Sequence, residues 1–553
     1  MLRKRKLLLF LILLLASFLR FWRLGSYPAL NADEAAIGYN AYSLIETGKD
    51  EHGNAWPIHF QSFNDYKPGL YFYLVLPFVK VLGLSELAVR IPGALFGVAT
   101  VLVVYFLCRE LFPDKKLEIG NWKLEIGEFA ALFLAISPWH IHFSRGGWEV
   151  NVATFFISLG LLLYLKGLKN PNYYALCTIS FVLSLYTYHA ARVVVPLLVI
   201  GLGLIYRKEI RPDIKSFIIS GIAALILLAP LGFDIAKGEV GSRVAGVGLF
   251  ADPGPLSRIN EQRGEHQDYL AFVPKAIHNK VVNYSLAFAQ NYSQHFWGEF
   301  LFLTGDAIER DKVPETGQMY LFDILFLIVG LLAIAKSSKS LPAGRQGWGV
   351  ILVWLLLAPT ASALTFQSPH ALRAQNMAIP LTVISAYGLM TTLSWLNNLR
   401  KIRLWGYLAL GVLIIWGFAR YQHMYWVHMA KEFPFSSQYG VKELVSYTKE
   451  KANQKIIVTD RYDQPYILFL FYLKYPPQKF QLEHTLTAKD KYGFSTVRSF
   501  GKYEFVPIDF DTIKPQNPGS LIVGTDEEIP NEANIVKRIY GTNGYLYFEA
   551  VAN

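Results

Sequence analysis

Pro68-Gly-Leu-Tyr-Phe-Tyr-Leu-Val-Leu-Pro-Phe-Val-Lys-Val-Leu-Gly83 is the stretch on which the topology turns. It is apolar, but shorter than the roughly 20 residues a membrane span needs. It also carries Pro77 and Lys80 and is rich in Tyr and Phe, so by itself it reads either as a span or as a helix lying in the membrane interface. Parity separates the two. Eleven better span candidates lie near 6–24, 89–109, 127–143, 151–167, 172–188, 192–207, 215–234, 319–336, 347–366, 371–394 and 403–420. If 68–83 also spans, the basic loops at Asp114-Lys-Lys, Lys166-Gly-Leu-Lys, Arg207-Lys-Glu-Ile-Arg, Lys336-Ser-Ser-Lys and Arg400-Lys-Ile-Arg fall opposite the basic N-terminus. If it lies in the interface, all five share the cytoplasmic side with Met1-Leu-Arg-Lys-Arg-Lys, as the positive-inside bias requires. The segment is therefore read as juxtamembrane.

Composition supports a membrane solvent. The 553 residues are 53% hydrophobic and only 17% charged, too apolar for an ordinary soluble chain of this size. Leu7 to Trp22 follows a signal-like basic start without a small-residue cleavage site, and so reads as a retained first span. The net charge of +11 comes mainly from Lys and Arg in short loops, which points to topology and not to nucleic acid. The two cysteines, Cys108 and Cys177, lie in apolar segments and offer neither a disulfide framework nor a zinc site.

The expected fold is an α-helical polytopic membrane protein of about eleven transmembrane helices plus juxtamembrane helices. Residues 1–420 form the membrane domain, with a first extracytoplasmic loop at 25–88 and a large one at 235–318. Residues 421–553 form a small extracytoplasmic α/β domain, because Lys455-Ile-Ile-Val-Thr, Ser520-Leu-Ile-Val-Gly and Tyr545-Leu-Tyr-Phe are strand-like and the apolar run Ile467–Leu473 is too short to span. The chain is integral to the cytoplasmic membrane on this reading, with its N-terminus inside.

Charges near a membrane are costly and so mark candidate function. The first loop offers Asn31-Ala-Asp-Glu-Ala-Ala-Ile-Gly-Tyr-Asn and Asn64-Asp-Tyr-Lys-Pro-Gly. Asp33 and Glu34 suit a general base or a metal ligand, or else they cap a helix over Ala35 to Thr47. Lys67 lies in the same loop. In Ser137-Pro-Trp-His-Ile-His-Phe-Ser-Arg-Gly-Gly-Trp-Glu-Val-Asn, His140 and His142 are two apart, too divergent on a helix to share a metal. They and Trp139 are assigned to interface anchoring. Arg145 and Glu149, four apart, either pair on a helix or present an acid to the first loop. Tyr186-Thr-Tyr-His-Ala-Ala-Arg and Gln367-Ser-Pro-His-Ala-Leu-Arg each set a His three residues before an Arg. His189, Arg192, His370 and Arg373 thus read as a phosphate clamp or as cations snorkelling to the interface. Asp306 and Arg310 are noted with low individual specificity, and the sequons at Asn283 and Asn291 are read as coincidental.

The combination resembles the GT-C superfamily of glycosyltransferases, in particular the protein-mannosyltransferase and aminoarabinose-transferase-like group. It rests on Asp33-Glu34, on Tyr66-Lys67-Pro68-Gly69-Leu70-Tyr71 leading to Glu86-Leu-Ala-Val-Arg-Ile-Pro, on Ser137-Pro-Trp-His-Ile-His-Phe-Ser-Arg and on Pro369-His-Ala-Leu-Arg, and covers about 1–420. The resemblance implies transfer of a sugar from a polyprenyl-phosphate donor to a lipid, glycan or protein hydroxyl on the extracytoplasmic face, usually with inversion. It implies Asp33 as catalytic base, and Lys67, Arg192, His370 and Arg373 against the departing phosphate. Glu34 and Glu149 would position the acceptor or a metal. Glu149 departs from the Asp often found there. Metal use varies within the group, so no cofactor is assigned and a divalent ion stays open. The expected partners are the lipid-linked donor, the acceptor and membrane lipids, with no nucleic acid. The alternative is a polytopic transporter or lipid flippase, for which neither repeats nor interrupted mid-membrane helices are evident.

Overall fold

A computed structural model describes residues 2–63, 65–119, 122–237, 246–266, 272–337, 342–399, 401–436, 438–451, 454–489 and 495–553. Asn64, Ser338, Lys339 and Arg400, quoted above in the Lys67 turn and two basic loops, lie outside them, as do parts of the 235–318 loop. The chain divides into two compact units, 1–20 with 95–144 and 149–422, and 21–94 with 145–148 and 423–553.

The first unit is a bundle of apolar helices. Among the described residues of the whole chain, six helices are long and apolar enough to cross a membrane: Glu86–Leu111, Glu149–Gly167, Ile214–Ala236, Gln346–Ala363, Gln375–Asn398 and Arg403–Glu432. Helix Ile214–Ala236 leaves Ile219, Leu225 and Ile226 about two-thirds exposed, a surface that only lipid solvates well. Eleven spans were expected. Tyr173–Thr187 and Ala191–Ile205 fall short at 15 residues each, about 22 Å against a hydrocarbon core of about 30 Å. The expected span 127–143 is broken into Ile126–Ile136 and Pro138–Ser144, because Pro138 forces its predecessor out of the helical region, and Ser137 has ψ 126°. Trp139, His140 and His142 are therefore not interface anchors but buried groups. The Trp139 indole donates to the Ala371 carbonyl at 3.0 Å, and Nη2 of Arg20 lies 2.7 Å from Nδ1 of His140.

Helices Phe322–Ser337 and Ala378–Asn398 cross at glycine. A Cβ at Gly388 would stand 1.8 Å from the Phe326 carbonyl oxygen, and one at Gly330 would stand 2.4 Å from that of Ile384. In lipid, where burial of apolar surface gives no drive for helix association, such backbone approach is what holds helices together. Gly388→Val is expected to force the pair apart and lower the melting temperature of the detergent-solubilised protein, while Gly411→Val, whose Cβ meets open space, leaves it near the native value.

In the second unit, the short hairpin β1 (His59–Ser62) and β2 (Asp65–Pro68) pairs Phe60 with Lys67. Residues Leu70–Leu82 form a helix of 13 residues, shorter than the six that are long and apolar enough to cross a membrane. The C-terminal residues build a seven-stranded sheet from β3 (Ile456–Thr459), β4 (Thr485–Leu486), β5 (Val497–Phe500), β6 (Tyr503–Val506), β7 (Leu521–Gly524), β8 (Ile535–Tyr540) and β9 (Leu546–Ala552), in the order β8-β9-β7-β3-β6-β5-β4. Only β3 is parallel to its neighbours, β6 and β7. The apolar runs Ile-Ile-Val-Thr and Leu-Ile-Val-Gly are wholly buried, as central strands covered on both faces must be. This sheet does not pack alone. Helix Ala32–Thr47 lies against helix Pro465–Leu473, and Gly38 gives room to Phe471 and Val89.

Candidate functional site

Helix Ala32–Thr47 starts at Asn31, whose side chain accepts the Glu34 N–H at 3.0 Å while the Glu34 carboxylate accepts the Asn31 N–H at 3.3 Å. This capping box realises the bland alternative for Glu34 and adds to it. The same carboxylate receives Nε and Nη2 of Arg90 at 2.6 and 2.7 Å and the Gly147 N–H at 2.9 Å. Two oxygens thus accept four hydrogen bonds, all that a carboxylate can take. Arg90, wholly buried, spends its remaining donors on the carbonyls of Leu24, Pro28 and Ala29. The pair fixes the 24–34 loop against the start of helix Glu86–Leu111 and the 145–148 connection.

Asp33 sits one residue earlier and behaves differently. Its side chain is 20% exposed and forms an ion pair with Lys67, which the β1–β2 hairpin presents. Arg145 is buried in the same unit. Its Nε donates to the Tyr425 hydroxyl at 2.9 Å and Nη2 to the Trp22 carbonyl at 2.8 Å, and the guanidinium lies 4.7 Å from the Trp426 ring centroid. Asp33, Glu34, Lys67 and Arg145 are thus brought into one unit. Arg90 joins them, although only its place in the Glu86–Pro92 motif had drawn notice.

The other unit carries Glu149, His189, Arg192, His370 and Arg373. Glu149 is buried at the start of helix Glu149–Gly167. The two His/Arg turns differ. Nη1 of Arg192 lies 3.0 Å from Nδ1 of His189 and its Nε donates to the Leu185 carbonyl. Arg373 instead donates to the Thr365 hydroxyl and to Gln367, while His370 turns to acids. Its Nδ1 lies 3.4 Å from Oδ2 of Asp306 and 3.4 Å from Oδ2 of Asp311, and all three side chains are buried. Asp306 is aimed by the N–H groups of Ile308 and Ala371, and the 306–311 loop is held by His142, whose Nε2 bonds the Arg310 carbonyl at 2.9 Å. His295 orders the turn from behind. Its Nδ1 bonds the Asn291 carbonyl, and its Nε2 meets the Ser362 hydroxyl and the His370 N–H. Burial pushes the His295 and His370 imidazoles down to about 4, so both are neutral at physiological pH. Asp306, Asp311 and His370 are the one group among the described residues with three donor atoms close enough to hold a metal ion. Asp311 and His295 lack a local motif and were missed.

A bundle of apolar helices with interrupted segments is joined in sequence to a sheet unit that also takes up the first loop, and known proteins share parts of this sequence and fold. The profile of the dolichyl-phosphate-mannose-protein mannosyltransferase family matches residues 66–232. ArnT of Cupriavidus metallidurans, solved with undecaprenyl phosphate, superposes with a TM-score of 0.55 at 12% identity over 98% of this chain and 97% of that one. The oligosaccharyltransferase AglB of Archaeoglobus fulgidus gives TM-scores of 0.50, as the apo form at 13% identity and with an inhibitory peptide and a dolichol-phosphate at 12%. It is covered over 84% of this chain, which spans only 63% of AglB's length. No curated protein sequence matches the chain.

Proposed function

We propose that the protein is a membrane glycosyltransferase that moves a sugar from a polyprenyl phosphate to a hydroxyl of a lipid, glycan or protein acceptor on the extracytoplasmic face, with inversion. The observation that carries this reading is the division of labour between neighbours: Glu34 is buried and saturated, whereas Asp33 is solvent-reachable and opposed by Lys67. A carboxylate against an ammonium is in the basic form that a proton acceptor requires. In the reaction the acceptor oxygen attacks the anomeric carbon as its proton passes to Asp33, and the carbon–oxygen bond to the phosphate breaks. The leaving phosphate carries away the electron pair, and Lys67 with Arg145 is suited to receive its charge. Glu34 positions Asp33 and does not itself react. The likeness to ArnT, solved with undecaprenyl phosphate, and to AglB, solved with a dolichol-phosphate, favours a polyprenyl-phosphate donor over transport.

A divalent cation at Asp306, Asp311 and His370 belongs to the same reading. The two 3.4 Å separations are long for an N–H···O hydrogen bond. They equal the edge of a tetrahedron, about 3.4 Å, whose centre lies about 2.1 Å from each donor. Protein purified without chelator is expected to carry about one zinc or manganese per chain by elemental mass spectrometry, and His370→Ala to lose it while Asp33→Asn keeps it. Metal-free native protein would remove the cation from the scheme.

A further inference from the structure

The sheet unit contains a cleft that the transfer chemistry leaves unused. Strands β3 and β7 are parallel neighbours. After β3 the chain runs to β4, β5 and β6 on one side, and after β7 it runs to β8 and β9 on the other. Where successive connections part in this way, the carboxyl ends of the strands border a crevice. Here it has a volume of about 530 Å³, within the range of small-ligand sites.

Its lining is specific in chemistry. Arg461 and Asp463 come from the loop after β3, Asp526 and Glu527 from the loop after β7, and the rings of Phe435 and Tyr545 stand 48% and 65% exposed along it. The floor is rigid. Glu528 accepts the Thr459 hydroxyl at 2.9 Å and the Thr525 N–H at 2.9 Å, locking the ends of the two strands together. The Tyr462 ring stacks beneath Phe435 at a centroid distance of 5.7 Å. Three carboxylates face one guanidinium, which already bonds Glu527 and the Thr525 hydroxyl. Such a lining repels phosphates and other anions. It offers carboxylate acceptors to hydroxyl donors and two exposed aromatic faces to a flat C–H surface.

We propose that this cleft binds an uncharged saccharide, with its hydroxyls on Asp526, Glu527 and Asp463 and its apolar face on Tyr545 or Phe435. The cleft communicates with the first loop through one side chain. The Gln438 amide donates to the Asp463 carbonyl at 2.5 Å, and its oxygen accepts the N–H of Ala32, the residue before Asp33, at 2.6 Å. On the transferase reading the occupant is the glycan part of the acceptor. That last step rests on the reading, whereas saccharide binding itself does not.

The test uses the full chain in detergent micelles, with saturation-transfer NMR and calorimetry against mannotriose, maltotriose and triacetylchitotriose. Saturable binding of at least one is expected, weakened tenfold or more by Tyr545→Ala and by Asp526→Asn, neither of which shifts the melting temperature, and unchanged by Asp33→Asn. Absence of binding by all three sugars, binding indifferent to both cleft variants, or displacement of the sugar by inorganic phosphate would overturn the proposal. Loss of sugar binding with retained dependence of transfer on Asp33 would fault the cleft alone. Intact sugar binding without any transferase activity would fault only the reaction.

Discussion

Asp33→Asn is expected to lower sugar transfer from a labelled polyprenyl-phosphate donor by about 10²- to 10⁴-fold, the range that a positioned general base contributes, with membrane insertion and thermal stability unchanged. Both halves of the expectation come from geometry. The amide is nearly isosteric with the carboxylate, its oxygen can still accept from the Lys67 ammonium, and the side chain is partly solvated. It cannot take the acceptor proton. Lys67→Ala should also slow turnover, since it removes a cation suited to the leaving phosphate and the partner of Asp33. Asp33→Asn with native turnover would exclude this carboxylate as the base.

Arg90→Ala should do the reverse, unfolding the protein before chemistry can be measured. Removing the guanidinium leaves the 1% exposed Glu34 carboxylate without its counter-charge, a loss of about 3–5 kcal/mol for a buried pair. It also orphans the carbonyls of Leu24, Pro28 and Ala29. The expected readout is loss of monodisperse protein, or a large fall in melting temperature. The double variant Arg90→Leu with Glu34→Leu should be milder than Arg90→Ala, because no lone charge stays buried. Native stability in Arg90→Ala would mean that the loop is held by other contacts.

How far these features were legible in the sequence depended on how local their causes are. Helices and strands were, because apolar periodicity and β-branched runs are written into consecutive residues. Ile-Ile-Val-Thr and Leu-Ile-Val-Gly became the central strands, and the apolar run within 68–83 became the short helix Leu70–Leu82. The break at Ser137-Pro138 was visible as a proline, but the apolar run before it and Trp139, Ile141 and Phe143 after it concealed its effect. Side-chain partnerships were not legible. Glu34 and Arg90 lie 56 positions apart, and nothing near Asp311 announces that His370 will face it. The resemblance in motifs singled out Asp33 and Lys67, which the fold then joined. It set Asp33 apart from Glu34 in role but not in burial, which is decided by residues far along the chain.

The packing of helix Ala32–Thr47 on helix Pro465–Leu473 also sets an order of assembly. The first loop leaves the ribosome roughly 330 residues before its partner segment begins. At about 5–20 residues per second it waits on the order of half a minute, with the Gln438 amide that will receive the Ala32 N–H not yet made. The surroundings of Asp33 can therefore close only once the helix bundle has been threaded into the membrane. A chain stalled part-way would carry helix Ala32–Thr47 without the helix it packs on.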